Sequence, residues 1–162
     1  MNNKLIGNKN NIVFYTDEEG NTKIEVVLQN EDVWLNVNAI AELFDVQRPA
    51  IYKHISNIFT EEELDEKSVC SILEYTASDN KKYKTKYYNL DMIISIGYRV
   101  NSKKAVKFRQ WANKIIKEYM VKGFALDDDR FLKGGKVNRQ YFDELLERIK
   151  VIRTSERMAY QK

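Results

Sequence analysis

The 162-residue chain contains one cysteine, one histidine, one proline and six glycines. A single thiol, Cys70, excludes an internal disulfide framework. No apolar run is long enough to span a bilayer or to act as a signal peptide, which predicts a cytoplasmic protein with no membrane partner. His54, the lone histidine, falls inside a predicted helix beside its apolar face, where a structural or phosphate-facing imidazole is expected. No other histidine is left to activate a serine or cysteine nucleophile. There is no Walker-type glycine loop, no dinucleotide fingerprint and no paired metal-ligand spacing. Asp127-Asp128-Asp129 do not change this, because metal ligation needs convergent side chains and neighbours along a chain diverge. The expectation is a protein without catalytic residues, metal or cofactor.

Acidic residues are also scarce where basic ones are dense. Residues 81–122 hold twelve Lys and Arg against Asp91 and Glu118, a local charge of +10 that leaves −7 for the remainder of a chain whose total is +3. A basic segment in an otherwise acidic protein points to an anionic partner, most often nucleic acid; a solvated lysine-rich surface has the same composition. With 43% hydrophobic and 12% aromatic residues, the chain can build a core of ordinary size.

The densest pattern is residues 34–59. Asn36 or Asn38 can cap a helix in which Val37, Ile40, Ala41 and Phe44 fall on one face. Asp45 suits a left-handed corner residue, Val46 plugs the angle, and Pro49 fits the first turn of a second helix with Ile51, Ile55 and Ile58 on its buried stripe. This spacing predicts a helix-turn-helix. Gln47, Arg48, Ala50, Tyr52, Lys53 and Asn57 are left outside, side chains suited to base edges and phosphates. Similar two-helix corners also serve as packing units in all-α cores.

Around it, Ile12–Tyr15 and Lys23–Leu28 read as a strand pair, and Val33–Leu35 as a third strand. Thr60-Glu61-Glu62-Glu63 has the form of a capping box opening one helical turn. Val69–Thr76 and Tyr83–Asn89 form a second hairpin, in which Lys82, Lys84 and Lys86 alternate with Tyr83, Thr85 and Tyr87: one face cationic, the other packing. A helix follows over Leu90–Val100, with Met92, Ile93, Ile96 and Gly97 inward. A longer helix runs from Ser102 to Lys122, stopped by Gly123. The latter carries an apolar stripe, Ala105, Phe108, Ala112, Ile115 and Tyr119, and a basic ridge of Lys103, Lys107, Gln110, Lys114 and Lys117. Gly134-Gly135 mark a hinge, and from Asn138 a final helix aligns Phe142, Leu145, Ile149 and Ile152. That seam is expected either to form a homodimer or to dock on its own domain.

This order of elements, with YNLDMIISIGYRVNSKKAVKFRQWANKIIKEYMVKG at 88–123 and the tail ERIKVIRTSERMAYQK, resembles the RhuM family of bacterial virulence-associated and prophage-borne proteins. Asp91, Gly97, Arg99, Phe108, Arg109 and Trp111 fall in that family's order. More distantly, the chain resembles the amino-terminal DNA-binding domains of Bro-type phage antirepressors. The resemblance covers most of the chain and implies a DNA-binding module. Family members commonly extend further, and the last helix has no stop signal, so the chain is expected to continue past position 162. Gln47-Arg48-Pro49 departs from the Ser or Thr cap common in helix-turn-helices, leaving open which residue begins the second helix.

The expected fold is thus α+β: a winged-helix-like helix-turn-helix with small antiparallel hairpins, followed by a long helix and a carboxyl-terminal helical extension. The expected domains are 1–124 and 125–162. The expected partner is double-stranded DNA, met by Gln47, Arg48, Tyr52, Lys53 and Asn57 in the major groove and by Lys82, Lys84, Lys86, Lys103 and Lys107 on the backbone. The competing expectation is a protein-interaction module acting through the last helix.

Overall fold

The computed structural model describes residues 26–29, 31–76, 78–132 and 139–160. The expected strand Ile12–Tyr15 and the first residues of the strand expected from Lys23 lie outside them. The chain divides into two compact units, Met1–Lys117 and Glu118–Lys162.

The first unit is α+β. Val27–Gln29 (β1) pairs antiparallel with Asp32–Asn36 (β2), β2 with Lys82–Asn89 (β4), and β4 with Cys70–Thr76 (β3), giving the strand order β1-β2-β4-β3. Between β2 and β3 the chain forms the helices Val37–Phe44 (α1), Arg48–Thr60 (α2) and Glu66–Val69 (α3). After β4 come Leu90–Gly97 (α4) and Lys103–Lys122 (α5). The single turn expected at Thr60 is displaced. Thr60 ends α2, the chain then reverses through Glu62 at φ 58°, and the short helix forms at Glu66 instead. The isoleucine stripe, continuing to Ile58, carries α2 through Thr60 and overrides the local capping signal.

The helix corner follows its local sequence. Asn36 Oδ1 accepts from the Ala39 N–H at 2.8 Å, which makes Asn36 the cap of α1. Asp45 is left-handed (φ 53°, ψ 52°), and the Val46 N–H donates to the Ala41 carbonyl at 3.0 Å, closing the helix end. Val37, Ile40, Ala41, Leu43 and Phe44 are buried from α1, and Ile51, Ile55 and Ile58 from α2. They share one core with Leu35, Tyr88, Met92, Ile93, Ile96, Val100, Ala105 and Phe108.

Two polar nodes lock this core. Asn89 caps α4 through the Met92 N–H at 3.3 Å, and its Nδ2 donates to Asp32 Oδ2 at 3.3 Å and to the Ser68 carbonyl at 3.4 Å. One buried side chain thus joins β2, α3, β4 and α4. Ser102 Oγ accepts from the Ala105 N–H and its hydroxyl donates to the Phe44 carbonyl at 2.6 Å, so the cap of α5 is also a tie to the helix corner. Of the apolar stripe expected on α5, only Ala105 and Phe108 are buried, and Tyr119 is 62% exposed. Gly123 ends the helix at φ 79°.

The second unit contains Asp128–Leu132 (α6) and Arg139–Tyr160 (α7). Asp127 caps α6 and pairs with Arg130 at 3.2 Å, and the Phe131 ring lies 6.4 Å from that of Phe142. Neither helix has a buried residue among those described.

Gly97 offers a direct test of the packing. A Cβ there would sit 2.6 Å from the Phe108 ring and 3.0 Å from that of Phe44. In an open helical site, Gly→Ala gains about 1 kcal/mol of propensity; overpacking against two buried rings costs about 1–3 kcal/mol or more. Gly97→Ala is therefore expected to lower the denaturation midpoint, and an unchanged or raised midpoint in chemical denaturation would contradict this packing.

Candidate functional site

The candidate site is built where β2 and β4 part. The β2–β4 ladder ends at Asn36 opposite Tyr87, because α1 begins at the next residue. The β3–β4 ladder runs on to Thr76 opposite Lys82. Among the described residues, Lys82–Lys86 of β4 are therefore paired on one side only.

The strand's two faces differ from the expectation that the odd residues pack and the lysines do not. Tyr88, on the lysine face, enters the main core, while Tyr87 packs with Trp34 and Leu73 on the opposite side. Both faces pack at the carboxyl end of β4. Toward the hairpin tip, Lys82, Tyr83 and Lys84 are all exposed, and the Tyr83 hydroxyl donates to Asp79 at 2.8 Å. Lys86 and Lys84 thus extend the face that the helices cover, and so come to border α1 and α2.

On α2, Arg48 is the first helical residue. Gln47 precedes it in extended conformation with no side-chain cap bond, and Pro49 follows in the first turn. Arg48 Nη1 donates to Asn38 Oδ1 at 3.3 Å, so Asn38, the alternative cap for α1, engages the guanidinium instead. Gln47, Arg48, Tyr52, Lys53 and Asn57 are all exposed.

A groove of about 370 Å³ lies between these elements, lined by Asn36, Val37 and Asn38, by Arg48 and Tyr52, and by Lys84, Thr85, Lys86 and Tyr88. It brings together four residues expected from sequence: Arg48, Tyr52, Lys84 and Lys86. Lys82, farther along the strand, does not line it. Nor do Gln47 just before α2, Lys53 and Asn57 on α2, or the exposed Lys103 and Lys107 on α5. Sequence reading missed Val37, Thr85 and Tyr88, and gave Asn36 and Asn38 a capping role alone. Only the departure of β2 from β4 puts them on this wall.

No carboxylate is among the lining residues. Glu66 approaches Lys86 at 3.5 Å from outside, an exposed pair that binds weakly. Burial pushes the Tyr88 hydroxyl up to about 12, with smaller contributions from Cys70, Tyr52 and Glu66, so it stays protonated and able to donate. Burial also raises the Cys70 thiol against the pull of Lys86, which disfavours a reactive thiolate. His54 is held below its ordinary value by burial, then by Arg99 and Lys53, and is neutral at pH 7.

The basic window also divides by role. Arg99 binds Glu61 and Glu63 at 2.5 and 2.6 Å, tying the end of α2 to the end of α4. Arg109 donates to the carbonyls of Gly97 and Val100, both at 2.9 Å, satisfying the end of α4. Lys122 pairs with Glu118 at 3.2 Å. These cations lie outside the groove, whereas Arg48, Lys84 and Lys86 line it.

The model of the virulence protein RhuM family matches residues 68–162, from α3 through α7, and leaves α1 and α2 outside. Searches of curated proteins and of solved structures each return no match. The matched segment is more than half of the chain and includes the α4–α5 joint, where Gly97, Phe108 and Arg109 meet. On that match, the chain belongs to the virulence protein RhuM family.

Proposed function

We propose that this chain is a DNA-binding module of a bacterial or prophage regulatory or virulence-associated protein, acting in the cytoplasm and related to the amino-terminal domains of Bro-type antirepressors. One observation carries the reading: Arg48 and Tyr52 at the start of α2 share a carboxylate-free groove with Lys84 and Lys86 of the hairpin. In a helix-turn-helix, the first turns of the second helix meet base edges, and a following hairpin can grip the phosphate backbone. Arg48 is the proposed base-reading residue, with Gln47 just before it and Tyr52, Lys53 and Asn57 further along α2. Lys82, Lys84 and Lys86 are the positioning cations, and Lys103 and Lys107 on α5 contribute longer-range attraction. The role is binding rather than catalysis.

A second proposal concerns α7. Ile149 and Ile152 are 48% and 67% exposed, Phe142 is 42% exposed, and Leu145 is half-buried. Such a seam suits a two-fold homodimer, and dimers of helix-turn-helix modules read paired half-sites.

Three outcomes test these readings. If Lys53, Lys82, Lys84 and Lys86 each neutralise one phosphate, affinity for random duplex should fall with a log–log salt slope of about −3 to −4, roughly 150-fold between about 50 and 200 mM. A flat response in fluorescence anisotropy would refute phosphate binding.

On a selected site, Arg48→Ala should cost about 1–3 kcal/mol and leave random-duplex binding nearly intact, while Lys84→Ala should weaken all sequences alike and reduce the slope by about one. Identical behaviour of the two variants on both duplexes would reject α2 as the reading helix.

Sedimentation of the wild type against Leu145→Asp with Ile149→Asp tests the seam. A dimer that becomes a folded monomer supports it, and a wild-type monomer throughout the micromolar range rejects it.

A further inference from the structure

The geometry of β4 carries a second kind of binding site. Residues 82–86 are five consecutive strand residues whose only partner among those described is β3. In an antiparallel strand, alternate residues direct their N–H and C=O groups to opposite sides, so part of this backbone points away from β3 toward the side β2 has left. Lys84, Thr85 and Lys86 line the groove in succession. Successive side chains point to opposite faces, so a groove lying over one face would meet Lys84 and Lys86 without Thr85. This groove therefore reaches the strand's edge.

Open strand edges bind extended chains by adding a strand, with main-chain hydrogen bonds giving affinity and flanking side chains giving selectivity. Charge selects the occupant here. Alternating lysines repel another basic strand, including a second copy of β4, and Arg48 stands on the opposite wall. Across the β3–β4 ladder Lys84 stands opposite Glu74 and Lys86 opposite Ile72, and Lys86 also meets the exposed Glu66 at 3.5 Å. An acidic strand would meet Arg48, Lys84 and Lys86 with the carboxylates of alternate residues on its groove-facing side.

We propose that the edge of β4 on the side β2 has left, which has no strand partner among the described residues, is a docking site for an extended acidic peptide, which pairs along Lys82–Lys86 and sets its carboxylates against Arg48, Lys84 and Lys86. The occupant would exclude duplex DNA from the same side chains and so act as an acidic competitor of the proposed DNA contact. Peptide binding is measured without DNA, so it stands or fails separately from that contact.

The probe is a fluorescein-labelled peptide of about seven residues, alternating Glu and Val, added to the full chain. Two further versions carry N-methyl groups on one or the other alternate set of amides, leaving charge and composition nearly unchanged. Methylation of one set should weaken binding at least about tenfold and methylation of the other should be tolerated, because only one set faces the strand. Lys84→Glu, an exposed substitution checked for folding by circular dichroism, should also weaken binding at least about tenfold. Amides within Lys82–Lys86 should gain hydrogen-exchange protection on adding the parent peptide. Absence of binding, equal affinity for all three peptides, or unchanged protection would each overturn the proposal: the second leaves only charge attraction, and the third places the peptide elsewhere.

Discussion

The position of Phe44 is the constraint on which the first unit depends. Its ring is fully buried, meets the Phe108 ring edge-on with centroids 5.2 Å apart at 84°, and lies against Gly97. Its carbonyl accepts from Ser102 at 2.6 Å. One residue at the end of α1 is thus held by the end of α4, the cap of α5 and the first buried turns of α5. The next residue is the left-handed Asp45, so fixing Phe44 fixes the direction in which α2 leaves. Edge-to-face pairing adds about 0.5–1.5 kcal/mol to the burial of two large rings, and it rules out a larger residue at position 97. The presentation of Arg48 and Tyr52 toward β4 therefore depends on packing at the far end of α1.

That joint also accounts for most of the residues that carry the family resemblance. Gly97 admits the Phe108 ring, Arg109 satisfies the last carbonyls of α4, and Arg99 ties α4 to the chain beyond α2. These are scaffold roles. The family model begins at residue 68 and so takes in the lysine hairpin and the joint but not the helix corner. Family membership thus rests on residues 68–162, whereas the proposed DNA contact joins Lys84 and Lys86 of that segment to Arg48 and Tyr52, which lie outside it.

The net charge of the basic window overstates the cationic surface available to a ligand. Arg99, Arg109 and Lys122 are engaged by acids or carbonyls. The lysines of α5 lie on an exposed ridge outside the groove. Three cations, Arg48, Lys84 and Lys86, line the groove, and no carboxylate is among its lining residues. Arg48 comes from outside the basic window altogether.

Local rules on short segments determined much of this protein. Apolar spacing and small polar residues set α1, the Asp45 corner, α2, the β3–β4 hairpin, α4, and the stop of α5 at Gly123, because each is decided within a few residues by capping, turn chemistry and periodicity. Local rules failed at Thr60, where the capping signal lost to the isoleucine stripe packing α2 against the core. They also failed along β4, where alternation gives two faces but not which one a helix will cover. Local rules also left open Asn36 against Asn38; Asn36 is the cap, and Asn38 accepts from Arg48, ten residues further along. Only tertiary structure decided that β2 leaves β4 at Asn36, and that departure opens the groove and leaves residues 82–86 with β3 alone as strand partner among the described residues. The physical reason is range: caps and periodicity act between neighbours, whereas a groove is space left between elements whose sequences carry no record of one another.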